Sequence, residues 1–168
     1  MVAEAGTGAW VLLSYRVPRE PSAPRIAVWR KLKRLGVAQL GDGLVALPTD
    51  ARTREQLDWI AEEVIEAGGT AGVWIAHPAT RAQERQLAAD MAAARAAEYQ
   101  AVREQAVEAS GLSAPGRAAA LRRLRGELRR IARRDYFPPP ERAGARVAVE
   151  ALATAGSPDG ELKEEEPT

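Results

Sequence analysis

Apolar residues run almost without interruption from Trp10 to Val17, WVLLSYRV, between Gly8 and Pro18. A short apolar run with aromatic and β-branched members, bounded by a glycine and a proline, predicts a buried central strand. PREPSAP then breaks regular structure, with Ser22 a candidate N-cap and Pro24 in the first turn of a helix. From about Pro24 to Leu35 the period changes. At roughly 100° per residue, Leu35, Val28, Leu32, Trp29 and Ile26 share one side, while Arg30, Lys31 and Arg34 lie opposite and Lys33 sits at the margin. Gly36 suits the position just past the last turn.

Val37–Pro48 holds two short apolar segments joined by Gly41-Asp42-Gly43, and Asp-Gly between such runs predicts a hairpin. Thr49 or Asp50 can cap a second helix, running to about Ala67 with Glu55 in its first turns. Leu57, Ile60, Val64 and Ala67 form its apolar stripe, flanked by Trp59, and Gly68-Gly69 ends it. Thr70–Ala76 is the last strand. The order β-α-β-β-α-β predicts an α+β, ferredoxin-like βαββαβ domain over 9–78.

His77-Pro78 marks a change of character. A long alanine-rich helix is predicted from Thr80 to about Ala109, with Leu87, Met91, Ala94, Tyr99, Val102 and Ala106 near helical spacing. After a turn over Ser110–Pro115, a second helix from about Pro115 to Asp135 carries Leu121, Leu124, Leu128 and Ile131, a seam suited to antiparallel pairing. Tyr136-Phe137 and three prolines break the chain before a short C-terminal helix, about Glu141–Ala153. A helical hairpin and a short helix, 79–155, thus form an extension expected to pack on the first domain. An acidic tail, 156–168, reads as disordered.

Charge changes this picture only locally. The formal net charge is +1, yet Arg16–Arg34 holds seven basic residues against one acid, and Arg117–Arg134 eight against one. Any electrostatic recognition therefore belongs to patches. Arginine outnumbers lysine 21 to 3, a ratio that a GC-rich coding bias can also produce, but two of the three lysines fall in the first patch. No cysteine is present, which removes disulfides, thiol nucleophiles and thiolate metal sites. No secretory signal pattern opens the chain, and its longest wholly apolar run, Ala9–Leu13, is too short for a bilayer, so a cytoplasmic protein without membrane contact is expected.

Candidate chemistry is sparse. The single histidine, His77, precedes a proline at a strand end and reads as a polar loop residue. Gly41-Asp42-Gly43 reads as a turn rather than a phosphate cradle. A metal-dependent nuclease on such a domain needs a carboxylate near the end of the first strand, where Leu13-Ser14-Tyr15-Arg16 offers none; Glu20 and Asp42 are the nearest acids. No catalytic residue, metal or cofactor is therefore assigned, and the chain is expected not to be an enzyme. The positive signals are two basic clusters. Arg30, Lys31, Lys33 and Arg34, with Arg16, Arg19 and Arg25 near the start of the first helix, can contact phosphates or form a solvated face. Arg122, Arg123, Arg125, Arg129, Arg130, Arg133 and Arg134 can do the same, or pair with Glu98, Glu104 and Glu108. The four tryptophans, Trp10, Trp29, Trp59 and Trp74, each fall in a different predicted element, which assigns them to core packing rather than base stacking.

The segments WVLLSYRVPREPSAPRIAVWRKLKRLG, GDGLVALP, TREQLDWIAEEVIEAGG, AGVWIA and RRIARRDYF together resemble the N-terminal domain of ChrB proteins, over about Trp10 to Phe137. The domain is similar, more distantly, to the ferredoxin-like part of PaaX-type repressors and of CRISPR-associated small nucleases. The resemblance implies a transcriptional regulator of chromate resistance acting on DNA, with Arg16, Arg19, Arg30, Lys31, Lys33 and Arg34 as its nucleic-acid-binding candidates. Full ChrB proteins continue into a second domain tied to the chromate response, whereas the residues after the helical extension are expected to form an acidic tail. No helix-turn-helix pattern is visible to read bases. The expectation is a DNA-binding regulatory protein that forms a homodimer, with Arg122, Arg125, Arg129, Arg130 and Arg133 as a secondary basic surface. The alternatives are an interaction module for a separate sensory-domain partner, and a metal-dependent nuclease of the CRISPR-associated type.

Overall fold

The structure, a computed structural model, describes residues 8–155. Within them lie four strands and five helices: β1 (Trp10–Arg16), α1 (Ser22–Leu35), β2 (Ala38–Gly41), β3 (Leu44–Pro48), α2 (Ala51–Glu66), β4 (Thr70–Ala76), α3 (Arg81–Ala109), α4 (Ala114–Ala132) and α5 (Glu141–Thr154). The mixed α+β class and the element order are those expected from the hydrophobic pattern. The segment 156–168, read as a disordered tail, lies outside the described residues.

Two compact units form, and the division falls inside α3. The first contains residues 8–95 and 133–138, the second 96–132 and 139–155.

In the first unit the strands make one antiparallel sheet in the order β2-β3-β1-β4. β1 is central, paired with β3 on one side and β4 on the other, as its nearly continuous apolar run predicts. Each of α1 and α2 therefore joins two parallel strands with one strand between them. Register sets the faces: Val11 opposes Leu47 and Ile75, and Leu13 opposes Val45 and Val73. Val11, Leu13, Val45 and Leu47 are buried in one cluster with Val28 and Leu32 of α1 and Leu57, Ile60 and Val64 of α2. Burying each such side chain contributes about 1.5–3 kcal/mol. The reverse face is also covered over β3, because Val45, Ala46 and Leu47 are buried in succession and successive strand residues point to opposite faces. On that face Trp10 stacks on Phe137, ring centroids 6.0 Å apart, and its Nε1 donates to Glu84 Oε1 at 3.1 Å.

Local signals account for most boundaries. Gly36 takes the left-handed conformation, φ 71°, and ends α1. Asp50 caps α2 in a capping box closed by Thr53, not by Glu55: Asp50 accepts from the Thr53 backbone N–H at 2.7 Å, and Thr53 Oγ1 accepts from the Asp50 N–H at 2.9 Å. Ser22 departs from expectation. It is the first residue of α1, the cap position belongs to Pro21 after a cis Glu20-Pro21 bond, and no side chain caps the helix.

The second unit is helical. Tyr99, Val102 and Ala106 of α3 share a core with Leu124 and Ile131 of α4 and Val149 and Leu152 of α5. The α4 seam is buried at Leu124 and Ile131 and half-buried at Leu121 and Leu128.

Candidate nucleic-acid interface

The pleat of β1 distributes its last residues between two sides. Ser14 and Arg16 point to one face of the sheet and Tyr15 to the other. Tyr15 is locked to the hairpin by its backbone N–H, which donates to Gly43 O at 2.8 Å. Gly43 is the residue that permits this approach: its φ is 69°, and a Cβ there would collide with the Tyr15 carbonyl oxygen. The hairpin thus brings Asp42 beside Tyr15. The phenol pKa is raised, first by burial and second by the Asp42 carboxylate, so Tyr15 keeps its O–H as a donor at neutral pH.

Opposite this strand end stands the first half of α1. Together they enclose an open groove of about 510 Å³ whose walls include Tyr15 of the strand, Val17 just past its end, Arg25, Ile26, Trp29 and Arg30 of the helix, and Gln39 and Asp42 of the hairpin. A neighbouring groove of about 540 Å³ is lined by Arg16, Arg19 and the Gly68-Gly69-Thr70 corner, and Val17 borders both. The two openings therefore follow one another around the end of β1, with two arginines in each.

The sequence candidates separate on inspection. Arg16, Arg19, Arg30 and Arg34 are exposed. Lys31 is instead paired with Glu63 of α2, and Lys33 lies over the Trp29 ring, 4.4 Å from its centre. The secondary surface also divides. Arg125 makes a two-pronged contact with Glu150, Nε to Oε1 at 2.9 Å and Nη2 to Oε2 at 2.6 Å. That hydrogen bond holds the Glu150 carboxyl below its usual range and the Arg125 guanidinium above its own. Arg130 pairs with Glu127, and Arg123 donates to Gln105 at 2.7 Å. Arg122 and Arg129 are exposed, and Arg133, also exposed, belongs to the first unit.

The tryptophan expectation is corrected. Trp10 is buried, but Trp29, Trp59 and Trp74 are 50%, 58% and 59% exposed. On α1 only Val28 and Leu32 are buried, so the core contact is one narrow stripe and Trp29 falls beside it. Trp74 lies on an edge strand, where its Nε1 donates to Ser14 Oγ at 3.0 Å. Sequence reasoning therefore missed the aromatic wall of the groove, Tyr15 and Trp29. The signal available was the i, i+4 spacing of Trp29 and Lys33.

Among the described residues no group of three histidine or carboxylate side chains is placed to hold a metal ion, and no helix is long and apolar enough to cross a membrane. No curated protein and no solved structure matches the chain. A family model described as "Protein ChrB, N-terminal" matches residues 25–108, half of the sequence, beginning at the Arg25 that lines the groove and running through α3. The chain belongs to the ChrB N-terminal family.

Proposed function

We propose that this protein is a regulatory module linked to chromate resistance that binds DNA through the arginines gathered at the end of β1 and along α1, without catalysing a reaction on it. The observation that carries this reading is the pair of adjoining grooves, each with two arginines, one of which also has an aromatic wall. Arginine forks suit phosphate oxygens, and clustered guanidiniums release counterions when they meet a polyanion. The secondary surface supports the reading less, because Arg125 and Arg130 have carboxylate partners within their own unit. The strand order β2-β3-β1-β4 with its two helical crossovers supports a ferredoxin-like first unit, in which the ends of β1 and α1 carry the binding surface.

The test is a salt titration of binding to promoter DNA of the protein's own operon. Affinity should fall with salt, and the log–log slope should lose about 0.9 for each duplex phosphate contact removed. A variant combining Arg25→Ala, Arg30→Ala and Arg34→Ala should bind more weakly with a shallower slope. Unchanged binding by that variant would place the interface elsewhere. No salt-sensitive binding at all would reject the reading.

A further inference from the structure

The groove between Tyr15 and Trp29 has a character that phosphate contact alone does not require. We infer that it takes an unstacked nucleobase of a single DNA strand, with the flanking phosphates on Arg25 and Arg30 and onward to Arg16 and Arg19; this rests on the nucleic-acid reading of the same surface. Four features carry the inference. The groove holds about 510 Å³, within the range of sites that enclose a small aromatic ligand. Its walls combine apolar surface from Val17 and Ile26 with the rings of Trp29 and Tyr15. A half-exposed indole is a stacking platform, since every base presents a π-face.

Its polar groups are also of two kinds. Arg25 and Arg30 supply cationic donors for phosphate, whereas Gln39 and Asp42 supply a carboxamide and a carboxylate that can meet the donor and acceptor edge of a base. A surface built for phosphate alone gains nothing from a carboxylate beside its arginines. Finally, the track continues. Val17 borders the second groove with Arg16 and Arg19, so the cations extend beyond one nucleotide, which favours a strand over a free nucleotide. A base paired within a duplex cannot enter, because its faces are stacked on its neighbours.

The experiment compares the full chain's binding to a fluorescently labelled single-stranded oligodeoxynucleotide, to the duplex of the same sequence and to a mononucleotide. The single strand should bind at least tenfold more tightly than the duplex and far more tightly than the mononucleotide. Trp29→Ala should weaken single-strand binding about tenfold or more, the loss of one stacked base. Trp29→Phe keeps an aromatic face and should recover most of it. Because Trp29 is half exposed, both variants should fold, which circular dichroism checks. Duplex binding as tight as single-strand binding, with no effect of Trp29→Ala, would overturn the inference while leaving duplex recognition standing. Tight mononucleotide binding equal to that of the strand would also overturn it, as a nucleotide site. Failure of all three ligands would remove the nucleic-acid reading itself.

Discussion

The Lys33 ammonium lies 4.4 Å from the centre of the Trp29 ring, one helical turn along α1. The contact gives the half-exposed indole at the groove wall a cationic partner on its own helix. An exposed cation–π contact contributes about 0.5–1 kcal/mol. Lys33→Ala should therefore cost no more than about 1 kcal/mol in urea unfolding, while changing the fluorescence of Trp29. A loss of several kcal/mol would show that Lys33 supports something beyond this ring.

Gly43 should tolerate no side chain. Its positive φ costs a non-glycine residue about 1–2 kcal/mol, and a Cβ would also press on the Tyr15 carbonyl oxygen. Gly43→Ala should destabilise by more than that conformational cost alone, because the Tyr15 N–H to Gly43 O bond must lengthen. Gly41 offers the control: a Cβ there meets nothing within 4 Å, and its φ is not positive. Gly41→Ala should lie within about 0.5 kcal/mol of the parent, as exposed surface changes usually do. Equal effects at the two glycines would refute the assignment.

Thr53 is fully buried, and its hydroxyl serves two partners. It donates to Pro48 O at 2.7 Å and accepts from the Asp50 N–H at 2.9 Å. Thr53→Val keeps the shape but strands both backbone groups, so a loss of about 1–3 kcal/mol is expected. Asp50→Ala removes only the exposed half of the box and should cost about 1 kcal/mol. Because the two residues share one network, the double variant should lose less than the sum, which a double-mutant cycle measures.

Much of the fold was legible because its punctuation is local. Gly36, Asp42-Gly43 and Gly68-Gly69 each mark a boundary that the structure keeps. What was not legible depends on partners distant in sequence. Lys31 lies on the polar side of its helix, and nothing nearby announces Glu63, 32 residues on, as its partner. The apolar stripe of α3 looks continuous, yet Met91 joins the sheet's core and Tyr99 the helical one. Sequence reasoning assigns Trp74 to core packing, but β4 is an edge strand and leaves Trp74 and Ile75 both half exposed. The basic half of the candidate site was readable from composition. Its aromatic half was not, because a helical wheel does not say how wide the core contact is.

Tyr15 makes the site testable by pH. Burial is the larger cause of its raised pKa and the Asp42 carboxylate the smaller. The folded state thus holds the phenolic proton more tightly than the unfolded chain, whose phenol titrates near about 10. The stability tied to that proton is fully present below this unfolded value and is lost as pH rises through the folded pKa. Asp42→Asn should lower the Tyr15 midpoint in an ultraviolet phenolate titration without bringing it to the ordinary value, because burial remains. Tyr15→Phe should remove one part of the alkaline loss of stability. Another part should persist, because Tyr136, whose hydroxyl donates to Leu35 O at 3.2 Å, is also raised, chiefly by burial. A Tyr15 midpoint at the ordinary value in the parent, or one that rises in Asp42→Asn, would mean that strand end, hairpin and phenol are not arranged as described. A normal phenol there would weaken the case for Tyr15 as a sheltered donor in the groove.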